Sequence, residues 1–253
     1  MSWQYIMDSK VLQGFKKDFL AVKSKGFIES HRTHNTGIGK TFEDAIGITE
    51  NNSSLADYQG ILEIKSKRDL SKSMLTLFTK SPSNPKGANS YLRETYGHPD
   101  KNNMKILHTT ISSTKFNTFF SNIGFKLEVD EKAEKIFILV KDLTTDKIID
   151  NSIYYSFEDL KQIIETKCEH IAFINADTKV ENGKELFYFK EATLLKDLTF
   201  QKFIQFVKDG LIVYDIRIGV YGTGSSKGKT HDHGSGFRVS KNNIPKIFKV
   251  EEI

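Results

Sequence analysis

The sequence places Asp57 six residues before the run Glu63-Ile64-Lys65. In an extended strand, residues two apart project from the same face, so Glu63 and Lys65 share one. Asp57 enters from the turn just before them. Two carboxylates so placed offer the hard oxygen ligands that Mg²⁺ favours while it keeps waters for phosphate chemistry. A lysine beside them can lower the pKa of a water or neutralise a pentavalent phosphorus. The plainer alternative is a solvated strand face carrying one i,i+2 ion pair.

A third carboxylate, Glu43, lies fourteen residues before Asp57 on a short helical pattern that follows Gly39-Lys40-Thr41. It could reach the same metal cluster, or be a surface acid near a helix N-terminus, where the dipole favours it. The segment Gly37-Ile38-Gly39-Lys40-Thr41 resembles a phosphate loop only in part. The position five before Gly39 is His34 where that loop needs glycine, and no apolar strand precedes it, so a nucleotide cofactor is not expected. Contact with a DNA phosphate through backbone N–H groups, Lys40 and Thr41 remains open.

A further constellation stands near the C-terminus. Asp215-Ile216-Arg217 is followed by a glycine- and lysine-rich loop, Gly222 to Lys229, then by His231-Asp232-His233 and Arg238. His231 and His233 have strand spacing but no third nearby nitrogen or sulfur ligand, which makes zinc a minority reading. As base readers these residues fit better. Arginine suits bidentate contact with guanine O6 and N7, and aspartate can accept from cytosine N4. Lys229 is a candidate phosphate contact. The alternative is a salt-bridged hairpin in which Asp215 pairs with Arg217 and Arg238.

The elements that must position these groups are legible in outline. Val11, Phe15, Phe19 and Val22 recur at helical spacing over the first ~25 residues, and Gly26 stops that helix. Strands are expected at Gly60 to Lys65 and Met74 to Thr79, with a loop at Asn51 to Ala56 and another at Ser81 to Gly87. A hairpin is expected from Phe125 to Val129 and Lys135 to Leu143. Phe157 to Thr166 reads as a helix leading into a strand at His170 to Asn175, and Glu185 to Phe189 as a short strand. Phe200 to Lys208 is an amphipathic helix ending at Gly210. Strands follow at Leu211 to Val220 and Phe237 to Val239. Without strict βαβ alternation the class is α/β or α+β with a mixed sheet.

Composition narrows the function classes. The chain has 253 residues, 38% of them apolar and 27% charged, enough for a sizeable core and against wholesale disorder. No apolar run approaches a membrane span, and the N-terminus lacks a secretory h-region, so a soluble intracellular protein is expected. One cysteine, Cys168, excludes an intramolecular disulfide framework. The net charge is +5, and its distribution is uneven. Ile61 to Ser90 holds six Lys or Arg against two acids, and Lys227 to Lys249 holds six against Asp232 alone. Such stretches suit a polyanion, although two solvated faces would read alike.

Asp57-x5-Glu63-Ile64-Lys65 has the D…(E/D)xK form of metal-dependent nucleases. With it stand Thr36 to Asp44, Leu75-Thr76-Leu77-Phe78-Thr79-Lys80-Ser81-Pro82, Asp215-Ile216-Arg217-Ile218-Gly219 and Gly228-Lys229-Thr230-His231-Asp232-His233-Gly234. Asn84 to Asn89 and Asp150-Asn151-Ser152 complete the set. In this order the segments resemble the MvaI/BcnI family of restriction endonucleases, over about residues 26 to 240, and more distantly the MutH-type nicking enzymes of mismatch repair.

The resemblance implies a PD-(D/E)xK nuclease, MutH-like in fold, with two lobes around a DNA cleft. The single endonuclease chain, 1–253, would divide into a catalytic lobe over approximately 1–110, with its active site at 43–65, and a recognition lobe over approximately 111–253. By position, Asp57 and Glu63 match metal-binding carboxylates, Lys65 the catalytic lysine and Glu43 an upstream acid. Asp215, Arg217, His231, His233 and Arg238 match the base-reading segment. The implied activity is Mg²⁺-dependent cleavage of double-stranded DNA at a short GC-rich site of the CCNGG type, with Mn²⁺ able to substitute. A monomer cutting one strand at a time is implied, paired with a cognate DNA methyltransferase in the cytoplasm of a bacterium. The rival readings are a methylation-sensing nicking enzyme that needs a partner, and a catalytically silent DNA-binding module. The Asp57-to-Glu63 spacing is one residue longer than in the nearest family members, which a bulge or a longer turn could absorb.

Overall fold

The computed structural model describes residues 3–32, 36–49, 55–68 and 73–253. Most of the loop expected at Asn51 to Ala56 lies outside these residues. No helix among them is long and apolar enough to cross a membrane.

The chain opens with helix α1 (Trp3–Lys23). Its stripe of Val11, Phe15, Phe19 and Val22 is buried, as the spacing predicts. Gly26, at φ +70°, takes the left-handed conformation that ends it. Strand β1 (Phe27–Glu29) and helix α2 (Gly37–Ala45) follow. Gly37 is needed at the start of α2, because a Cβ there would lie 2.2 Å from the carbonyl oxygen of Arg32. Strand β2 is Glu63–Arg68, shifted towards the C-terminus from the expected Gly60 to Lys65. The residues before it form a tight hairpin, with bridges Ala56↔Gly60 and Tyr58↔Leu62.

Next come β3 (Leu75–Thr79), α3 (Ala88–Tyr96), β4 (His98–Pro99) and β5 (Lys105–Ile111). The meander β6 (Ile123–Asp130), β7 (Lys135–Asp142) and β8 (Lys147–Ser156) extends the expected hairpin by a third strand. Helix α4 (Phe157–Lys167) leads into β9 (His170–Glu181) and β10 (Lys184–Lys196), two strands longer than expected and joined as a hairpin. The chain closes with α5 (Phe200–Lys208), β11 (Ile212–Val220), β12 (Thr230–Asp232), β13 (Gly236–Val239), α6 (Ile244–Ile247) and β14 (Lys249–Glu252).

The result is the mixed α+β architecture expected, in two compact units that interleave along the chain. The first is Met1–Ser73, Ile164–Thr199 and Phe248–Ile253; the second is Met74–Ile163 and Phe200–Ile247. A single cut near residue 110 does not describe them. The reason is strand pairing: β2 lies parallel to β9, with Glu63 opposite Ile171, so the chain must return to the first unit after residue 163.

In the first unit the sheet runs β1-β10-β9-β2, with β14 also on β10. Its core joins Phe15 and Phe19 of α1, Phe42 of α2, and Phe187 and Phe189 of β10. In the second unit a sheet runs β3-β13-β11-β5-β4, with β12 added on β11, beside the separate sheet β6-β7-β8. An aromatic cluster of Phe78, Phe203, Phe237, Tyr155 and Tyr214 fills its interior, with ring centroids 5.1–5.8 Å apart.

Candidate active site and nucleic-acid interface

The hairpin before β2 places the first carboxylate. Gln59 and Gly60 have φ of 52° and 72°, and these two left-handed residues reverse the chain between Tyr58 and Leu62. The Tyr58 N–H donates to the Leu62 carbonyl at 2.9 Å and closes the turn. Tyr58 is pinned below: its ring packs edge-on to Phe15 at 5.4 Å and its hydroxyl donates to Asp18 Oδ2 at 2.6 Å. Burial, reinforced by the Asp18 carboxylate, pushes the Tyr58 phenol up to about 12. Its neighbour Asp57 is therefore fixed, and Asp57 Oδ2 accepts the backbone N–H of Ile64 at 3.0 Å.

Glu63 begins β2 and is only 5% exposed. Lys65 donates to its Oε1 at 2.6 Å, and Lys167, in the last turn of α4, stands 3.8 Å from its Oε2. That Oε2 is buried with no hydrogen-bond partner. Burial works against the charge on Lys65, but the adjoining Glu63 carboxylate, helped by Asp57, outweighs it and holds the ammonium above the ordinary lysine range. Lys65 is thus a charged donor to the buried Glu63 carboxylate. The ion pair of the plainer reading is present, but in an enclosed place rather than on a solvated face.

A divalent cation suits this donor set. Asp57 and Glu63 supply hard oxygens, and Glu63 Oε2 is a buried acceptor whose hydrogen-bonding capacity is unused. Glu43 does not join them. It sits on α2, which packs against β2, but among the described residues no three His, Cys, Asp or Glu side chains gather in a metal cage.

Two of the expected phosphate contacts are engaged locally. Lys40 donates to Asp44 at 2.6 Å, one helical turn on. Thr41 is fully buried; its hydroxyl donates to the Gly37 carbonyl at 2.8 Å and accepts the His31 N–H at 3.0 Å. A phosphate cannot reach that hydroxyl, so Thr41 ties α2 to the preceding segment instead. The Lys40 N–H is likewise given to the Thr36 carbonyl. Lys229 lies exposed in the loop before β12.

In the second unit, β11 brings the base-reading candidates together. Asp215 is 4% exposed and anchors them. Its Oδ2 accepts Arg217 Nε at 2.6 Å and pairs with Arg238 Nε at 3.2 Å, while its Oδ1 accepts the Thr110 hydroxyl at 2.8 Å. Arg238 is nearly buried and also donates to the Gly234 carbonyl at 2.8 Å. Arg217 is the accessible arginine, with 48% of its side chain exposed. The salt-bridged alternative is therefore observed, yet it presents Arg217 outward instead of hiding it.

The histidines line the same face. The ring of His231 stacks on Tyr221 at 4.1 Å and meets His233 at 4.4 Å. His233 lies over Gly219, where a Cβ would come within 2.8 Å of its Nε2. Asp232 holds the turn that follows it. Its carboxylate accepts the N–H groups of Gly234 and Ser235, at 3.1 and 2.7 Å, and Asn89 of α3 at 2.9 Å. A pocket of about 310 Å³ is lined by His108, Thr110, Asp215, Arg217 and His233.

His108 and Thr110 escape the sequence reading. They stand opposite Arg217 and Asp215 in the antiparallel pair β5–β11. Alternation along β5 puts them on one face, but nothing in the sequence says which strand β5 will pair with. Burial, then the charges of His233 and Arg217, hold the His108 imidazole below its ordinary pKa, with Asp215 opposing. Lys167 escapes it for the same reason, since only the fold brings it to Glu63.

Comparison with known proteins identifies a family and solved structures that this chain resembles. The family model described as "MvaI/BcnI restriction endonuclease family" matches residues 16–248. A solved structure, "Restriction endonuclease MvaI-cognate DNA substrate complex", is 40% identical, with a TM-score of 0.85 over 95% of this chain and 97% of that one. Another, "Restriction endonuclease MvaI in the absence of DNA", is also 40% identical, with a TM-score of 0.62 over 100% of this chain and 98% of that one. No match is found among curated proteins.

Proposed function

The chain belongs to the MvaI/BcnI restriction endonuclease family, a family of site-specific DNA nucleases, and from that premise we propose how it cuts and what it recognises. Asp57 and Glu63 hold Mg²⁺, or Mn²⁺ in its place. The observation that carries this reading is the buried Glu63 carboxylate paired with a charged Lys65, with Asp57 held on the intervening Ile64 N–H. When bound, the metal supplies Lewis acidity towards the scissile phosphate and lowers the pKa of a water.

The chain's own residues do the rest. Water gives up a proton to solvent and attacks the phosphorus in line, the P–O3′ bond breaks, and the departing 3′-oxygen takes a proton from solvent, leaving a 3′-hydroxyl and a 5′-phosphate. Lys65 is protonated, so it acts by donating a hydrogen bond and positive charge to the developing phosphorane oxygens rather than by taking the proton. Asp57, fixed by the Ile64 N–H, holds one carboxylate oxygen in place throughout.

Recognition falls to the β11 face. Arg217 reads guanine in the major groove, oriented by Asp215, and His231 and His233 supply further donors and acceptors. Arg238 braces Asp215 and lies nearest the backbone of Gly234. Lys229 adds charge towards phosphates. The proposed site is a short, nearly palindromic GC-rich sequence of the CCNGG type, cut one strand at a time by a monomer in a bacterial cytoplasm. A cognate methyltransferase would protect the host's own sites.

Sequencing the ends of fragments from unmethylated phage DNA tests the specificity. A common GC-rich five-base site at every end supports it. Fragments with unrelated ends overturn the site, and nicks confined to one strand favour the repair-type nicking enzyme.

A further inference from the structure

We propose that Lys167 is a positioning residue that holds the second oxygen of Glu63 and thereby sets how tightly the site takes a divalent cation. The inference rests on the metal-site reading above. Glu63 is 5% exposed, and a carboxylate so buried needs its charge matched. Lys65 serves Oε1 at 2.6 Å. Oε2 has no hydrogen bond, and the Lys167 ammonium stands 3.8 Å away, too far to donate and close enough to neutralise. Asp57, Glu63, Lys65 and Lys167 together carry no net charge. All of them except Asp57 also act on the buried Cys168 thiol, which places them in one neighbourhood.

A cation that takes Oε2 must contend with that ammonium. Lys167 is able to yield: it ends α4, and 28% of its side chain is exposed, so its charge can retract into water. It therefore holds Glu63 in its binding posture before the metal arrives and competes with the metal for the same oxygen. Lys65, which is hydrogen-bonded, does not give way in the same manner.

The test is Mn²⁺ binding to the DNA-free full chain, read from the free-ion EPR signal, beside metal-free Tm. Lys167→Met and Lys167→Gln should bind Mn²⁺ about two- to five-fold more tightly, the range expected for removing one partly exposed ion-pair partner, and should melt earlier without metal. Lys167→Arg should restore wild-type behaviour. Unchanged or weaker Mn²⁺ binding in the Met and Gln variants overturns the proposal while leaving the metal site intact. Glu63→Gln and Asp57→Asn serve as controls and should lose Mn²⁺ binding; if they keep it, the metal-site reading fails and this inference falls with it.

Discussion

The Oδ2 of Asp57 accepts the backbone N–H of Ile64 at 3.0 Å, across the tight turn between the paired residues Tyr58 and Leu62. This contact couples the first carboxylate to the strand that carries the second. The Gln59-Gly60 turn should therefore matter to cleavage, although neither side chain does chemistry. Gly60 has φ +72°, and an alanine there should cost about 1–2 kcal/mol. We expect Gly60→Ala to lower Tm and to lower cleavage by more than the folded fraction accounts for. Cleavage that merely follows the folded fraction would detach the turn from the chemistry.

Lys65→Ala should reduce cleavage by about 10²-fold or more, the scale of losing one charged donor to a transition state. DNA binding should remain measurable by mobility shift. A variant with wild-type rate would remove Lys65 from the mechanism.

Arg217 and Arg238 should behave differently although both touch Asp215. Arg217 is half exposed, so Arg217→Ala should cost about 1–3 kcal/mol of discrimination between sites with little change in Tm. Arg238 is nearly buried, and its removal leaves Asp215 with less counter-charge. Arg238→Ala should therefore lower Tm as well as affinity. Competition binding against single-base variants of the site, beside melting curves, separates the two. Uniform weakening on all sequences would make Arg217 a phosphate contact.

Thr41 provides a contrast. Because its hydroxyl is buried and doubly hydrogen-bonded, Thr41→Val should destabilise by about 1–3 kcal/mol and leave DNA affinity of the folded protein unchanged. A specific loss of affinity at unchanged Tm would restore it as a phosphate contact.

These residues mark what the sequence could and could not disclose. Strong periodicity was legible: α1 and α5 lie where their apolar spacing puts them. So was chemistry held within one local segment, such as Glu63 and Lys65 two apart on a strand. Helix α3 was not, because its nine residues are mostly polar and only Ala88, Leu92 and Arg93 are buried. The turn at Gln59-Gly60 was hidden too, since Gly60 reads as the start of a strand until the bridges on either side are seen. Partners brought in by long-range pairing, Lys167 for Glu63 and His108 for Arg217, carry no local signal at all.

One acid-sensitive contact lies away from the chemistry. Lys16 of α1 and Lys196 of β10 both donate to Glu251 of β14, and they hold its carboxyl down at about 2. A carboxyl whose folded pKa is depressed stabilises the fold above its ordinary value and loses that contribution as pH falls through the folded one. Glu251 is 40% exposed, so solvent screening limits the effect to under about 1 kcal/mol. Wild type should therefore lose slightly more stability than Glu251→Gln between pH 5 and about 2. Parallel curves for the two proteins would show that the contact contributes nothing.

The most direct test is digestion of unmethylated phage DNA by wild type with Mg²⁺, by wild type with EDTA, and by Glu63→Gln with Mg²⁺. Discrete fragments are expected in the first reaction and intact DNA in the other two, with the variant still binding its site. Cutting that persists in EDTA, or full activity of Glu63→Gln, would contradict a metal-dependent centre built on Asp57, Glu63 and Lys65.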